Sequence, residues 1–398
     1  MNWNRCFADR TRHMKRSAVR ELLKLTAQPS VISFAGGLPA PEFFPLAELK
    51  LATEAVLARN GPTALQYGET EGVGELRDWI AERFSRPGIP VDRANVLIVT
   101  GAQQALDLIG RVFLGGGDQV IVENPTYLAL LSAWRPTGVR FLAMSSDKDG
   151  MCVDELESIL PQRPKLIYTI PNFQNPQGTT LSLERRKKLA ATARQHDLVI
   201  VEDDPYGELR FDGDPLPHIF ELDARRESDG ALDSNTIYVG TFSKVLMPGL
   251  RVGWVIAPEP VIDKLVQAKQ AVDLHTSTLC QHITYEMVRA GALDTQIPRL
   301  RHAYRERRDA MLSALAQHFP QEAKWVRPDG GMFLLVTLPP AMNGQEVLEK
   351  ALRKKVAFVP GDEFHVNGTG RNTFRLNFSN AAPDLIAEGV KRLAAVLN

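Results

Sequence analysis

The sequence predicts an α/β protein: a large domain with a mostly parallel seven-stranded sheet between helices, and a smaller α+β domain. Three observations carry that reading. Through the middle of the chain, short β-rich apolar runs alternate with segments of helical period, the pattern of strands returning in parallel through crossover helices. After about Gly291 the alternation stops, and a long polar-faced helical pattern leads into a few strands and a last helix. The 398 residues suffice for two domains of ordinary size, and there is no internal repeat or low-complexity tract.

Taken in order, strands are expected at Val96–Thr100, Gln119–Glu123, Arg140–Met144, Lys165–Ile170, Leu198–Glu202, Thr236–Gly240 and Arg251–Ile256. Helical period falls on Ala102–Phe113, Ser182–His196 and Glu259–Val272, with Ser182 suited to cap the second. The later part should hold a helix over Pro298–His318, strands within Gly330–Leu338, Val356–Val359 and Thr373–Phe378, and a closing helix Pro383–Leu397. The first 40 or so residues are too few to fold alone. Residues 1–41 are therefore grouped with 291–398 as the small domain, leaving 42–290 as the large one.

Forty-seven basic residues balance 47 acidic ones, so no net field draws the chain to nucleic acid or to an anionic membrane. Small molecules or proteins are the expected partners. Cys6, Cys152 and Cys280 are odd in number and far apart, and no C-x-x-C or H-E-x-x-H occurs. Neither a disulfide framework nor a metal site is expected, and a cytoplasmic location fits. Met1–Arg20 is rich in Arg and Lys but lacks the serine richness of a transit peptide and the apolar run of a signal peptide. No run approaches the ~18 apolar residues that span a bilayer.

Lys244 heads the chemistry. It follows an apolar strand, with hydroxyls at Thr241 and Ser243 and an arginine at 251. Such a lysine can bond covalently to an aldehyde cofactor while Thr241, Ser243 and Arg251 hold a phosphate nearby. Taken singly, most lysines only solvate a surface. Val99-Thr-Gly101-Ala-Gln103 passes from strand into helix, and a glycine there leaves backbone N–H groups facing outward with the positive end of the helix dipole. A plain turn would look the same.

Two further segments end strands. Val199-Ile-Val-Glu-Asp203-Asp-Pro-Tyr206 places a carboxylate beyond a strand's carboxyl end, where open α/β sheets bind ligands. Asp203 can pair with a protonated ring nitrogen, and Tyr206 can hydrogen-bond a phenolic oxygen. Tyr168-Thr-Ile-Pro-Asn-Phe-Gln-Asn175-Pro-Gln-Gly178 offers an asparagine donor to the same oxygen, although Asn-Pro-x-Gly is also ordinary turn chemistry.

Together these segments resemble the fold-type-I pyridoxal-phosphate aminotransferases, over nearly the whole chain. Ser33-Phe-Ala-Gly-Gly37-Leu-Pro-Ala-Pro-Glu, Leu65-Gln-Tyr67-Gly, Glu123-Asn-Pro-Thr-Tyr127 and Arg375-Leu-Asn-Phe-Ser are similar to motifs of the subgroup holding the α-aminoadipate and kynurenine aminotransferases. Val19-Arg20-Glu-Leu-Leu-Lys-Leu-Thr carries the likeness furthest toward the bacterial lysine-biosynthesis α-aminoadipate aminotransferases.

The resemblance implies pyridoxal 5'-phosphate bound covalently to Lys244, its ring nitrogen on Asp203, its ring oxygen met by Asn175 and Tyr206, and Tyr127 stacked on the ring. It gives the phosphate to Gly101, Ala102, Gln103, Thr241, Ser243 and Arg251, with Tyr67 reaching the phosphate of the other subunit in a homodimer with shared sites. Arg375, with Gly37 and Asn175, would bind the substrate, Arg375 clamping the α-carboxylate. Ala102 departs from a common serine and Thr241 from another, which costs one side-chain phosphate contact and keeps one hydroxyl.

The expected activity is transfer of an amino group from 2-aminoadipate, glutamate, or an aromatic or branched-chain donor to a 2-oxo acid such as 2-oxoglutarate. Aromatic, branched-chain, alanine or valine donors as the main substrates form the alternative. Arg20 is expected on a short helix, Ser17–Thr26, where the resemblance sets it against the distal carboxylate of an acidic donor. Two rivals keep the cofactor: a lyase or decarboxylase, and a regulator fused to a DNA-binding module. Only about 30 residues precede Ala35-Gly-Gly, too few for a winged helix-turn-helix.

Overall fold

The computed structural model describes residues 1–16, 20, 22 and 30–397. Its large sheet is built from β1 (Val96–Val99), β2 (Gln119–Glu123), β3 (Arg140–Met144), β4 (Leu166–Thr169), β5 (Val199–Asp203), β6 (Thr236–Thr241) and β7 (Gly253–Ile256). The strands lie in the order β1-β7-β6-β5-β4-β2-β3. Six run the same way, and β7 is antiparallel to both of its neighbours, β1 and β6.

The central strands read as unbroken apolar runs because both faces of the sheet are covered. Side chains alternate between two cores: Val120, Val122, Leu166, Tyr168 and Val201 in the larger, Ile121, Ile167 and Ile200 in the smaller. Trp134 is fully buried in the larger core, and its Nε1 donates to the Leu106 carbonyl at 2.7 Å.

Each strand expected in the large sheet is present, with ends moved by at most two residues, while the one expected over Val356–Val359 is divided into Val356–Ala357 and Val359–Pro360. Arg251 is a correction. It was expected inside a strand, but a single 3-10 turn, Pro248–Leu250, ends on it with φ 55°, and β7 begins only at Gly253. The smaller sheet is antiparallel: β8 (Lys324–Trp325), β9 (Phe333–Thr337), β10 (Val359–Pro360) and β11 (Thr373–Asn377) lie in the order β8-β9-β11-β10. Ile32–Ser33 pairs in parallel with Val356–Ala357.

The helix expected to open at Pro298 instead runs Ala292–His318. Proline is a good helix starter, but here buried Leu293, Ile297 and Leu300 continue one apolar stripe through it and compensate for the missing N–H donor. The closing helix ends at Ala394, short of Leu397. Among the described residues no helix is long and apolar enough to cross a membrane.

Candidate active site

Five segments leave the carboxyl ends of parallel strands and meet on one edge of the large sheet. Gly101 follows β1, Tyr127 follows β2, Asn175 follows β4, Asp203 is the last residue of β5, and Lys244 lies just past β6. Parallel order is what brings these sequence-distant strand ends together.

Asp203 is buried, and its Oδ2 accepts from the Tyr168 hydroxyl at 2.7 Å. Its Oδ1 is buried with no partner. Burial pushes the carboxyl up to about 7, with the Tyr168 bond pulling down and the charge of Asp204 adding to the rise. A carboxylate in that position needs a cationic donor. The protonated ring nitrogen of pyridoxal phosphate is such a donor, so the orphaned oxygen fits the cofactor that the resemblance implies. Tyr168 was not singled out by the sequence. It sits inside a strand whose four residues are all buried, with nothing to mark it as other than core.

Asn175 Nδ2 donates to the Tyr206 hydroxyl at 3.3 Å, so both proposed ring-oxygen partners stand side by side. Arg375, in β11, reaches the same spot: Nη1 donates to Asn175 Oδ1 at 2.8 Å and Nη2 to the Ala35 carbonyl at 2.6 Å. The rings of Phe333 and Phe364 flank its guanidinium, 4.3 and 5.1 Å away, and burial lowers it to about 10. The Lys244 ammonium donates to the Gly37 carbonyl at 2.9 Å. Burial, then the charges of Arg251 and Arg375, bring the amine down to about 8.

The residues expected to hold the phosphate form a cradle around one turn. Gly101 has φ 78°, and a Cβ there would lie 2.6 Å from Arg251 Nη2, so only glycine lets the guanidinium approach this turn. Arg251 Nη2 donates to the Thr100 carbonyl at 3.1 Å. Thr241 Oγ1 and Ser243 Oγ are joined at 2.9 Å, and the Ser243 amide donates to Thr241 Oγ1 at 3.1 Å. Ala102 begins the helix Ala102–Phe113 directly after this turn, so the helix N-terminus faces the same cradle. Gln103 is exposed, with Nε2 turned to the Ala129 carbonyl at 3.1 Å.

Two expected residues stand differently. Tyr67 is 79% exposed, and its described ring contact is an edge-on one with His275, not with the cluster. Of the helix expected over residues 17–26, all but Arg20 and Leu22 lie outside the described residues. Arg20 is helical and exposed, and Leu22 is buried in the larger core. The Tyr127 hydroxyl is raised to about 12 by burial and by Asp203, while Arg375, Arg251 and Arg20 oppose the rise. Arg20 thus lies within electrostatic reach of the residue expected over the ring.

Below the cluster, Glu123 is buried at the end of β2, accepting from the Ile170 amide at 3.1 Å beside the Thr169 hydroxyl. Burial raises its carboxyl from 4.5 to about 8. The folded protein then holds a proton that the unfolded chain releases, so this contribution is full below the unfolded value and is lost as pH rises through 8. Glu123→Gln should leave Tm near the wild-type value at pH 5 and raise it progressively toward pH 8. Parallel Tm–pH curves for the two proteins would refute a buried, protonated Glu123.

Known proteins are similar to this chain over its whole length. The family model for aminotransferase class I and II matches residues 35–393. Aromatic-amino-acid aminotransferase 1 of Thermococcus litoralis is 44% identical over 100% of this chain and 95% of its own length. The crystal structure of a multiple substrate aminotransferase from Thermococcus profundus superposes with a TM-score of 0.92 at 44% identity, covering 100% of this chain and 98% of that one. That of the alpha-aminoadipate aminotransferase of Thermus thermophilus, complexed with N-(5'-phosphopyridoxyl)-L-leucine, gives 0.92 at 43% identity with the same coverage.

Proposed function

The chain belongs to the class I and II aminotransferases, pyridoxal-phosphate enzymes acting on amino acids and 2-oxo acids, and from that premise we propose a broad donor range. The donors are 2-aminoadipate and glutamate together with aromatic and branched-chain amino acids, and 2-oxoglutarate is an acceptor. The observation that carries this is the charge of Arg20 felt at Tyr127, a further guanidinium near the site besides Arg375 and Arg251. Relatives named for aromatic, multiple and aminoadipate substrates, one of them holding a leucine adduct, support the same breadth.

Pyridoxal phosphate, when bound, supplies the electron sink for the pair left behind when a substrate loses its α-proton. The chain's residues do the rest. Asp203 would keep a proton on the ring nitrogen by charge pairing, Asn175 and Tyr206 would hold the ring oxygen, and Tyr127 would cover a ring face. Gly101, Ala102, Gln103, Thr241, Ser243 and Arg251 would hold the phosphate. Arg375 presents a planar fork to the substrate α-carboxylate, fixing which bond at Cα stands ready to break and favouring loss of the proton over loss of CO2. Lys244 Nζ would take that proton from the substrate Cα and deliver it to the cofactor carbon that bore the aldehyde, and its lowered basicity makes the neutral amine available. We take residues 42–290 as the cofactor-binding domain and 1–41 with 291–398 as the unit that covers substrate, a grouping supported by the pairing of Ile32–Ser33 with Val356–Ala357. Three free cysteines, Cys6, Cys152 and Cys280, support a cytoplasmic location.

Arg20→Ala tests the donor reading. It should lower kcat/KM for 2-aminoadipate and glutamate by about 1.5–3 kcal/mol, the range for a charge-assisted hydrogen bond, and leave leucine and aromatic donors nearly unchanged. Equal losses for both classes would favour mainly aromatic or branched-chain donors.

The working unit in this proposal is a homodimer. Leu46, Leu51, Leu57 and Leu65 are exposed on and beside the helix Leu46–Ala64, which leads to the outward-facing Tyr67. An apolar surface of this kind suits a second copy of the chain, and would carry Tyr67 to that copy's phosphate. Sedimentation at assay concentration should give a dimer of the 44.2 kDa chain. A fully active monomer would contradict it.

A further inference from the structure

We propose that Lys269, Asp273 and Gln104 form a positioning network that sets the turn holding the cofactor phosphate. Lys269 belongs to the helix Glu259–Gln270, where a lysine would ordinarily be solvated, yet it is fully buried. Its ammonium donates to Asp273 Oδ1 at 2.6 Å and to Gln104 Oε1 at 3.0 Å. Asp273 Oδ2 accepts from Gln104 Nε2 at 2.6 Å and from Thr100 Oγ1 at 3.0 Å. Gln104 Oε1 also accepts from the Thr100 amide at 2.7 Å, and Thr100 Oγ1 lies 3.1 Å from Thr276 Oγ1.

Through Gln104 and Asp273 the network reaches Thr100, the residue before Gly101. The network grips its amide and its hydroxyl, while Arg251 takes its carbonyl. With every polar group of Thr100 assigned, the orientation of the Thr100–Gly101 peptide is fixed. The direction of the following N–H groups, which the phosphate would meet, is fixed with it. A buried ion pair gives little net stability over apolar residues of the same volume. Placement, not stability, is what this one provides. Both oxygens of Asp273 and both polar atoms of Gln104 are committed to it, so a change at any member reaches the turn.

The inference rests on the phosphate placement proposed above, and the experiment separates the two. Holoenzyme is prepared with pyridoxal phosphate and, in parallel, with pyridoxal, which lacks the phosphate. Cofactor release on dilution is followed by the decay of its absorbance. Lys269→Met and Gln104→Leu should release pyridoxal phosphate about 10- to 100-fold faster than wild type, the scale of a lost charge-assisted hydrogen bond, with pyridoxal release unchanged. Gln104→Leu leaves the ion pair intact and carries the test if Lys269→Met does not fold. Arg251→Gln is the control. If Arg251→Gln accelerates only the phosphorylated cofactor and Gln104→Leu does not, the network is overturned and the phosphate placement stands. If Gln104→Leu accelerates both cofactors equally, its role is general packing and the inference is overturned. If Arg251→Gln does not discriminate either, the placement itself falls, and the inference with it.

Discussion

Lys244→Ala should remove transamination, lowering kcat by about 1,000-fold or more, within the range for loss of a positioned general base and with covalent attachment lost as well. In the wild-type protein, borohydride should fix the chromophore to the peptide containing Lys244, and in the variant no peptide should carry it. The expectation rests on position and basicity together. The amine lies at the sheet edge where five strand ends meet, and burial with the nearby charges of Arg251 and Arg375 brings it down to about 8. Full activity in Lys244→Ala would overturn the assignment of the whole site, since every other role is defined around it.

Asp203→Asn should come next in size. The carboxylate is buried, with Oδ2 accepting from Tyr168 and Oδ1 placed to accept a hydrogen bond from a protonated ring nitrogen. An amide keeps the shape and one acceptor but cannot balance a buried cation. Breaking such a pair costs about 3–5 kcal/mol, which corresponds to a loss in kcat of roughly 100- to 4,000-fold. The comparison should be made on protein saturated with cofactor, so that weaker binding is not mistaken for slower chemistry. A saturated Asp203→Asn enzyme within tenfold of wild type would show that ring protonation does not depend on this carboxylate.

Much of this site was legible because its residues sit where strands end and carry chemistry that turns do not need. Asp203 follows an apolar run, Lys244 follows another, and the glycine at 101 marks a strand-to-helix junction. Residues without such a boundary were silent. Tyr168 lies mid-strand among buried neighbours, and its hydroxyl gains meaning only when β4 and β5 pair side by side. Lys269 reads as a solvated helix lysine until the helix is laid over Gln104. The helix Leu46–Ala64 has no such signal either. It fully buries only small or short residues, Ala52, Val56, Gly61 and Ala64, and turns Leu46, Leu51 and Leu57 outward while Leu49 is half-buried, so no clear apolar stripe marks it. The start at Ala292 was hidden by Pro298, whose usual role as a first-turn residue outweighed the stripe running through it.

Because β7 runs against its neighbours, the chain leaves the carboxyl end of β6 and re-enters the sheet from the same edge, with Thr241 paired to Gly253. A parallel successor would have required a crossover, usually a helix, of a dozen or more residues. Here Ser243, Lys244 and Arg251 share one short loop. Their mutual geometry is a feature of low contact order, closed cheaply among near neighbours, whereas Gly101, Tyr127, Asn175 and Arg375 must be recruited across long stretches of sequence. The loop also acts as a ruler. Lengthening or shortening it between Met247 and Leu250 would change the spacing of ammonium and guanidinium while leaving both strand registers intact. The distance from Lys244 to Arg251 can therefore vary among descendants of this fold without any change to the sheet that supports it.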